Sequence, residues 1–408
     1  FDTTINEWHT CPNDGRINGS NPCSEYMFLD DTACNLASLN LKKFLADDGS
    51  FQLDDYIYGI HLWTTVLEIS VAMAQFPSTA IARRSYDYRT LGLGYANLGA
   101  LLMVMGVPYD SEFGRAVAGS LTAILTGEAY AQSARIASEK GPFPRYEANK
   151  ESMLRVIRNH RAAAYNSTLS DYEGLSIRPV AIDPNQAPAD MLAAARKAWD
   201  SALALGEKHG FRNAQATVIA PTGTIGLVMD CDTTGVEPDF ALVKFKKLAG
   251  GGYFKIINQS VPPALTKLGY SQEQIDAMIA YATGSGTLKG APGVNHEMLR
   301  AKGFDQNTLD KIEAGLATAF DIKFAFNRFS LGDDFCRDVL GLTDSQLNDP
   351  TLDVLQAIGF TRAQIDAANA FTTGTMTLEG APALKDEHLA VFDCANRCGR
   401  NGKRYIAY

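Results

Sequence analysis

The feature that most constrains the fold is a short β-branched run between a long helical segment and a glycine-containing turn. Residues 189–209 carry apolar side chains at helical spacing, and Gly210 is a typical residue to end such a helix. Ala214–Ala220 (AQATVIA) then predicts a buried strand that leads directly into the turn at residues 221–226. Long helices that alternate with short apolar strands predict α/β construction, with functional residues in the loops at strand ends.

Two further segments carry helical signals. Residues 55–75 have apolar side chains at helical spacing, and Pro77 ends the pattern. Another helix is predicted from Glu112 to Lys140, stopped by the glycine and proline that follow. Residues 1–25 are polar and rich in turn formers, so they predict turns around short extended pieces.

Composition narrows the class of protein. The chain has 408 residues, of which 46% are hydrophobic, and its length allows two or three domains. Its net charge of −9 argues against a nucleic-acid or anionic-membrane surface, and no apolar run is long enough to cross a bilayer. Seven cysteines in a chain of this length indicate a reducing compartment, the cytoplasm, rather than a disulfide scaffold.

The last third contains an internal duplication. The sequence GYSQEQIDA at residues 269–277 is echoed as GFTRAQIDA at residues 359–367, and Gly284–Pro292 is echoed at Gly374–Pro382. The offset is 90 residues throughout. Two copies are too few for a solenoid, so they predict a pair of helical subunits. A packing unit is the favoured interpretation, and a binding module is the alternative.

The richest group of reactive side chains lies at residues 21–25 (NPCSE), followed by Cys34. Alternate side chains of an extended loop point the same way, so Asn21, Cys23 and Glu25 are predicted to share one pocket. A thiol can exchange hydrogen atoms, a carboxylate can carry a proton, and an amide can orient a hydroxyl group. The alternative is a turn with a buried cysteine and two surface polar groups.

A second candidate site is the turn Pro221–Ile225. Consecutive backbone N–H groups, two hydroxyls and a glycine can hold a phosphate without a lysine, particularly at the start of a helix. The alternative is an ordinary turn between a strand and a helix.

Two other motifs give weaker indications of function. Arg89–Gly99 fails the dinucleotide-binding pattern because its glycine spacing is wrong. Cys394 and Cys398 could be two metal ligands, but two more at compatible spacing are missing. We therefore predict no metal site, and we interpret the two cysteines as structural, with a redox pair as the second interpretation.

The sequence from Tyr26 to Leu41 (YMFLDDTACNLASLNL), together with NPCSE, resembles the catalytic barrel of ribonucleotide reductases. The cobalamin-dependent class is the most similar. The resemblance continues in family order through Arg89–Gly99, Ala220–Gly226, Gly235–Pro238, Leu248–Tyr253 and Val391–Gly399.

This resemblance implies the fold and the activity. The fold would be part of a ten-stranded α/β barrel, with a catalytic portion at residues 1–243. Residues 244–408 would form a mostly helical insertion, with its copies near residues 269–299 and 359–389. The activity implied is reduction of ribonucleoside diphosphates to 2′-deoxyribonucleoside diphosphates for DNA synthesis. Adenosylcobalamin would be the cofactor, a thioredoxin- or glutaredoxin-like protein the reductant, and a homodimer a possible assembly.

The resemblance also implies residue roles. Cys23 would hold the thiyl radical that removes the 3′ hydrogen of the ribose, Glu25 would take the 3′-hydroxyl proton, and Asn21 would hydrogen-bond the sugar hydroxyls. Cys34 would be one of two cysteines that reduce the substrate, with its partner upstream of Phe1. The substrate-binding residues implied are Asn21, Pro22, Cys23, Ser24, Glu25, Pro221, Thr222, Gly223, Thr224 and Ile225.

Several alternatives stay open at this point. Within the same chemistry they are a di-iron reductase and a glycyl-radical reductase. A non-catalytic nucleotide-binding barrel and a cysteine hydrolase that pairs Cys23 with a histidine are the alternatives from other classes. The resemblance further implies that the chain is a fragment, and we expect no turnover by these 408 residues alone.

Overall fold

The computed structural model describes residues 2–247, 253–316, 319–399 and 401–407. It contains two compact units, Phe1–Pro238 and Asp239–Tyr408. The glycine-rich motif at residues 248–252, which contributes to the family resemblance, lies outside the described residues.

The first unit combines eight described helices with two strands. The helices are α1 (Asp2–Glu7), α2 (Leu53–Met73), α3 (Thr79–Tyr88), α4 (Leu98–Val104), α5 (Glu112–Lys140), α6 (Tyr146–Ala164), α7 (Ala189–His209) and α8 (Gly223–Val228), and the strands are β1 (Asn35–Asn40) and β2 (Leu91–Ala96). The prediction of turns around short extended pieces in the first 25 residues is wrong at residues 2–7, where α1 forms.

The strands form a parallel layer. β1 pairs with β2 in parallel register, from Asn35 opposite Leu91 to Asn40 opposite Ala96. The segment predicted as a strand at residues 214–220 runs along the other edge of β2. There Leu91 N donates to Gln215 O at 2.8 Å, and the segment forms a parallel bridge at Thr217. Every residue of β2 is buried, as expected for the middle of a parallel layer with helices packed on it.

The three predicted helices are present. α5 and α7 have the predicted bounds. α2 begins two residues earlier than predicted and also ends two residues earlier. Ser111 caps the start of α5, where its side chain accepts from the backbone N–H of Gly114. α5 and α7 pack closely at Gly127, where a Cβ atom would lie 2.8 Å from that of Ala198. The layer is not closed into a barrel by the residues that the structure describes.

A buried ionic network joins α2 to the chain around β2. The Glu68 carboxylate accepts from Arg89 at 2.6 Å and from Arg212 at 2.8 Å. Its other oxygen accepts from Asn213 Nδ2 at 2.7 Å. Because both charges and hydrogen-bonding positions are matched, the carboxylate can be buried without a large desolvation cost.

The second unit is mostly helical, with one antiparallel hairpin. Its described elements are β3 (Val243–Lys247), β4 (Tyr253–Ile257), α9 (Val261–Lys267), α10 (Gln272–Thr283), α11 (His296–Arg300), α12 (Gln306–Leu316), α13 (Arg328–Leu331), α14 (Asp344–Leu347), α15 (Val354–Ala357) and α16 (Arg362–Thr373).

The duplicated segments are related by a local two-fold arrangement. α10 and α16 occupy equivalent places in the two copies, and each begins with a capping box, formed by Ser271 and Thr361 respectively. After each helix the chain crosses to the other copy through matched backbone hydrogen bonds. Ser285 N donates to Phe371 O at 2.8 Å, and Thr375 N donates to Tyr281 O at 3.0 Å.

The crossing point has no room for side chains. A Cβ atom at Gly284 would overlap the backbone of Gly374, and the reverse also holds. Beside this point, Lys255 Nζ donates to Thr283 O at 3.0 Å and to Thr373 O at 2.6 Å. One lysine therefore binds the last residue of both duplicated helices, where the helix dipole favours a positive charge.

No helix among residues 2–247, 253–316, 319–399 and 401–407 has both the length and the apolar character needed to cross a membrane.

Candidate active site

The segment NPCSE is a tight turn. Ser24 N donates to Asn21 O at 3.0 Å, which closes a four-residue turn with Pro22 and Cys23 at its centre. Proline is favoured at the second position of such turns because its φ angle is already correct. Ser24 has a φ of 64°, in the left-handed region. The prediction of an extended loop with alternating side chains is therefore wrong at this segment.

The side chain of Asn21 helps to hold the turn. Its Oδ1 accepts from Tyr26 N at 3.0 Å, and its backbone N–H donates to Tyr26 O at 3.2 Å. These contacts close the base of the turn, while Pro22, Cys23 and Ser24 at its tip are exposed. The thiol of Cys23 is thus accessible and is carried by a backbone that is locally ordered.

Glu25 follows the turn and faces into the protein. Its Oε2 atom is buried and has no hydrogen-bond partner among the described residues. The side chain lines a cavity of about 430 Å³, together with His9, Thr126, Tyr130 and Thr217. A buried carboxylate oxygen without a partner is rare in folded proteins and indicates a group that can accept a proton or a ligand hydroxyl.

Asn21 lines a different cavity, of about 250 Å³, beside Tyr26 and Asp31. The structure thus puts Asn21 and Glu25 on two cavities. The convergence of Asn21, Cys23 and Glu25 on one bound sugar stays a prediction.

The charge of Glu25 acts on Cys34. Cys34 lies just before β1 and is half-buried. Burial, with a smaller contribution from the negative charge of Glu25, raises the pKa of the Cys34 thiol to about 12. The thiol consequently keeps its proton at neutral pH, as a hydrogen donor would, and is a poor thiolate nucleophile in this state.

Two neighbours on the β2 side position Cys34. The Oγ1 of Thr90 donates to Ala33 O at 2.6 Å, immediately before Cys34. Gly92 leaves the space that the Cys34 sulfur occupies, because a Cβ atom at Gly92 would overlap Sγ. The register of the β1–β2 pair thus fixes where the thiol lies.

Tyr26 is a site residue that the sequence reasoning missed. Its hydroxyl donates to Thr32 Oγ1 at 2.8 Å and is 3.0 Å from Thr90 Oγ1. Burial raises the pKa of Tyr26 well above its ordinary value. The ring joins the turn to the residues around Cys34, and its position directly after NPCSE was the only available signal.

The second predicted site forms the start of α8. Thr222 is buried, with a φ of 53°, and its Oγ1 accepts from Gly235 N at 2.8 Å. Gly223, Thr224 and Ile225 are exposed in the first turn of the helix. The first N–H groups of a helix have no partner within it, so this turn offers donors to an anion. Of the two predicted hydroxyls, that of Thr222 is used within the protein and that of Thr224 is exposed.

In the part of the chain that the structure describes, no group of three or more histidine, cysteine, aspartate or glutamate side chains is placed to hold a metal ion.

Comparison with known proteins identifies the family. The family model described as the barrel domain of ribonucleotide reductase matches residues 1–305. The chain belongs to the ribonucleotide reductase family.

Curated ribonucleotide reductases are similar along the chain. The vitamin B12-dependent ribonucleotide reductases of Agrobacterium fabrum and of Bradyrhizobium diazoefficiens are each 61% identical over 409 residues, which cover all of this chain and 32% of each relative. The protein of the same name from Streptomyces avermitilis is 52% identical over 301 residues, covering 73% of this chain and 30% of the relative. The chain thus spans about a third of the length of these relatives.

Proposed function

We propose that the protein containing this chain is an adenosylcobalamin-dependent ribonucleotide reductase. The single observation that carries the proposal is the buried carboxylate oxygen of Glu25, which has no hydrogen-bond partner among the described residues and lies two residues after the exposed thiol of Cys23. The names of the similar proteins support the same activity and the same cofactor. The substrates we propose are ribonucleoside diphosphates.

Cys23, Glu25 and Asn21 would each have a separate role in the reaction of the ribose. Cys23, as a thiyl radical, would remove the 3′ hydrogen of the ribose, and the Glu25 carboxylate would accept the 3′-hydroxyl proton. Radical character at the neighbouring carbon weakens the bond to the 2′ oxygen, which would leave as water. Because Asn21 Oδ1 already accepts from Tyr26 N, its Nδ2 would donate to a sugar oxygen.

Cys34 would supply reducing equivalents to the sugar. Because the pKa of Cys34 is raised, the thiol would stay protonated at neutral pH and could give its hydrogen to the substrate. The second thiol of the pair would come from chain preceding Phe1, and the two would end as a disulfide. A thioredoxin- or glutaredoxin-like protein would then reduce that disulfide.

The phosphates of the substrate would bind at residues 221–225. The exposed first turn of α8 offers backbone donors at Gly223, Thr224 and Ile225, and the Thr224 hydroxyl can add another. The hydrogen bond between Thr222 and Gly235 supports this turn from behind.

The chain fits the cofactor at one point, the exposed thiol at the tip of the turn. When bound, adenosylcobalamin supplies the radical that starts the reaction by oxidising a thiol by one electron. Cys23 is the exposed free thiol on the turn that fits this role, and the backbone contacts of Asn21 hold the turn.

The wider assignments belong to the same proposal. They are a catalytic portion of a ten-stranded barrel at residues 1–243, an insertion at residues 244–408, and a possible homodimer. All seven cysteines are free, which supports a location in the cytoplasm.

The test uses the full-length protein with a Cys23→Ser substitution. We expect complete loss of ribonucleotide reduction with retained nucleotide binding, while Cys336→Ser, at a buried cysteine of the second unit, keeps the activity. A nucleotide-binding barrel without catalysis would show little change with either variant. Reduction by the unsubstituted protein without added adenosylcobalamin would instead favour the di-iron class.

A further inference from the structure

Two cysteines near the end of the second unit lie close together. Cys394 and Cys398 are both buried and free, and the interaction between their thiols shifts the pKa of each. They line one small cavity with Leu242 and Phe392. Three residues separate them in the sequence, so the contact closes a short loop.

The surrounding backbone holds this loop in place. Ala395 N donates to Asp239 O at 2.7 Å, and Ile406 N donates to Cys394 O at 2.9 Å. The thiol of Cys398 is also within 3.4 Å of Asn396 O. The two sulfurs are thus kept together by contacts on both sides of the loop, and their proximity does not depend on chance encounters of a mobile segment.

The two thiols are not equivalent. The hydrogen bond between them, with burial, raises the pKa of Cys394 far above its ordinary value. The same hydrogen bond lowers the pKa of Cys398. Cys398 is therefore the sulfur that ionises first, with Cys394 donating its hydrogen to it.

A metal site does not explain the pair. The nearby carboxylate of Asp239 is engaged by Lys244 Nζ at 2.7 Å and by Asn258 Nδ2 at 2.5 Å. The described part of the chain offers no third ligand of the usual kinds at this place. Two thiols in contact without further ligands have the arrangement needed to form a disulfide.

We propose that Cys394 and Cys398 form a reversible dithiol–disulfide pair that exchanges two electrons with a low-molecular-weight or protein disulfide. The Cys398 thiolate attacks one sulfur of the reagent disulfide, whose bond breaks and releases one thiolate. Cys394 then loses its proton and attacks the Cys398 sulfur of the mixed disulfide. The second reagent thiolate leaves, so the reagent gains two electrons and the cysteines lose them.

Residues 401–407 lie beside the two cysteines and should limit the access of a disulfide reagent to them. The Arg404 guanidinium pairs with Asp393 at 2.6 Å and lines the same cavity. The backbone N–H groups of Lys403 and Arg404 donate to the Glu379 carboxylate at 2.9 Å. Because these contacts hold residues 401–407 beside the cysteines, their loss should speed oxidation without changing its product.

The experiment maps the bond by mass spectrometry. The chain is equilibrated with oxidised glutathione or with dithiothreitol, its free thiols are alkylated, and it is digested with trypsin. Cleavage after Arg397 separates the two cysteines, so a disulfide joins the peptides 386–397 and 398–400. We expect this linked peptide after glutathione treatment, its disappearance with dithiothreitol, and about tenfold faster formation in Arg404→Gln.

Matched variants and unfolding complete the test. Cys394→Ser should abolish the linked peptide, and Cys336→Ser should leave it unchanged. Against glutathione, the pair should form about tenfold more readily in the folded chain than in urea, since folding holds the thiols together. Equal formation in both states, or full alkylation of both cysteines after glutathione treatment, would overturn the proposal. These readouts are independent of ribonucleotide reduction.

Discussion

The sulfur of Cys34 occupies the place where a side chain at Gly92 would begin. Gly92 lies on β2 and Cys34 directly precedes β1, the strand paired with it, and the same Cβ atom would also overlap Leu36. Gly92→Ala should therefore destabilise the protein by about 1–3 kcal/mol through overpacking, and should displace the Cys34 thiol. Urea unfolding measures the first effect, and ribonucleotide reduction by the full-length protein measures the second.

Gly59→Ala is the matched control for this change. Gly59 lies inside α2, and a Cβ atom there would be 3.6 Å from Phe44, an ordinary contact distance. Alanine is the better helix former by about 0.5–1 kcal/mol, so this variant should be as stable as the unsubstituted protein or more so. Equal destabilisation by both variants would contradict the role given to Gly92.

The carboxylate of Glu68 should be the most sensitive charged group in the first unit. Glu68→Ala leaves the buried guanidinium of Arg89 without its partner, and such losses typically cost about 3–5 kcal/mol. Asp110→Ala removes the partner of Arg115, but both side chains are exposed and the cost should stay below about 1 kcal/mol. Chemical denaturation of the two variants distinguishes these outcomes, and comparable losses would argue against a buried network.

Lys255 should stabilise both copies of the duplication at once. Lys255→Met removes the donor that binds Thr283 O and Thr373 O, and hydrogen bonds from charged groups contribute about 1.5–3 kcal/mol. Lys267→Met, at the exposed end of α9, is the control and should change stability by less than about 0.5 kcal/mol. Hydrogen exchange should show faster opening of the ends of both α10 and α16 in Lys255→Met. Faster opening of only one helix would contradict the shared contact.

Two histidines, the buried His9 and the half-buried His160, should make the stability of the first unit sensitive to mild acid. Burial lowers the pKa of His9 and of His160 to about 4. In the unfolded chain these groups bind protons near pH 6.5, so the unfolded state takes up more protons as the pH falls. The two histidines should therefore not reduce the free energy of unfolding above pH 6.5. Below it, the free energy of unfolding should decline between pH 6.5 and 4.

Substitution of His160 tests this expectation. The ring stacks on Trp199 at a centroid distance of 4.8 Å, so His160→Phe keeps an aromatic ring while removing the titrating group. The variant should lose less stability than the unsubstituted protein between pH 7 and pH 5. His209→Gln, at the end of α7, should retain the original pH profile. An unchanged profile in His160→Phe would count against the buried neutral histidine.

The bounds of the long helices followed from local signals. Ser111 begins α5 and Gly210 ends α7 through contacts within a few residues, and such contacts depend on local sequence. α6 was not anticipated, because its buried residues form a narrow stripe among many charged ones. α1 was hidden in a segment whose composition is typical of turns.

The residue types of the candidate site could be read from the sequence, but their geometry could not. The reactive set at residues 21–25 was evident, but the turn depends on the Asn21 side chain binding Tyr26 N, a choice that alternation rules do not include. The fit of Cys34 against Gly92 depends on how β1 pairs with β2. Such contacts between distant parts of the chain are not encoded in any local pattern.

The position of Lys255 has a consequence for how the duplicated region can evolve. Repeats that arise by copying are ordinarily free to diverge, because each keeps its own supporting contacts. Here a residue outside both copies serves the two helix ends together, and the glycines at the crossing exclude larger residues from either side. A shift in the length of one helix would withdraw its carbonyl from the lysine and open the crossing of the other. The lengths of the two copies are therefore coupled. An insertion or deletion in one copy would require a matching change in the other.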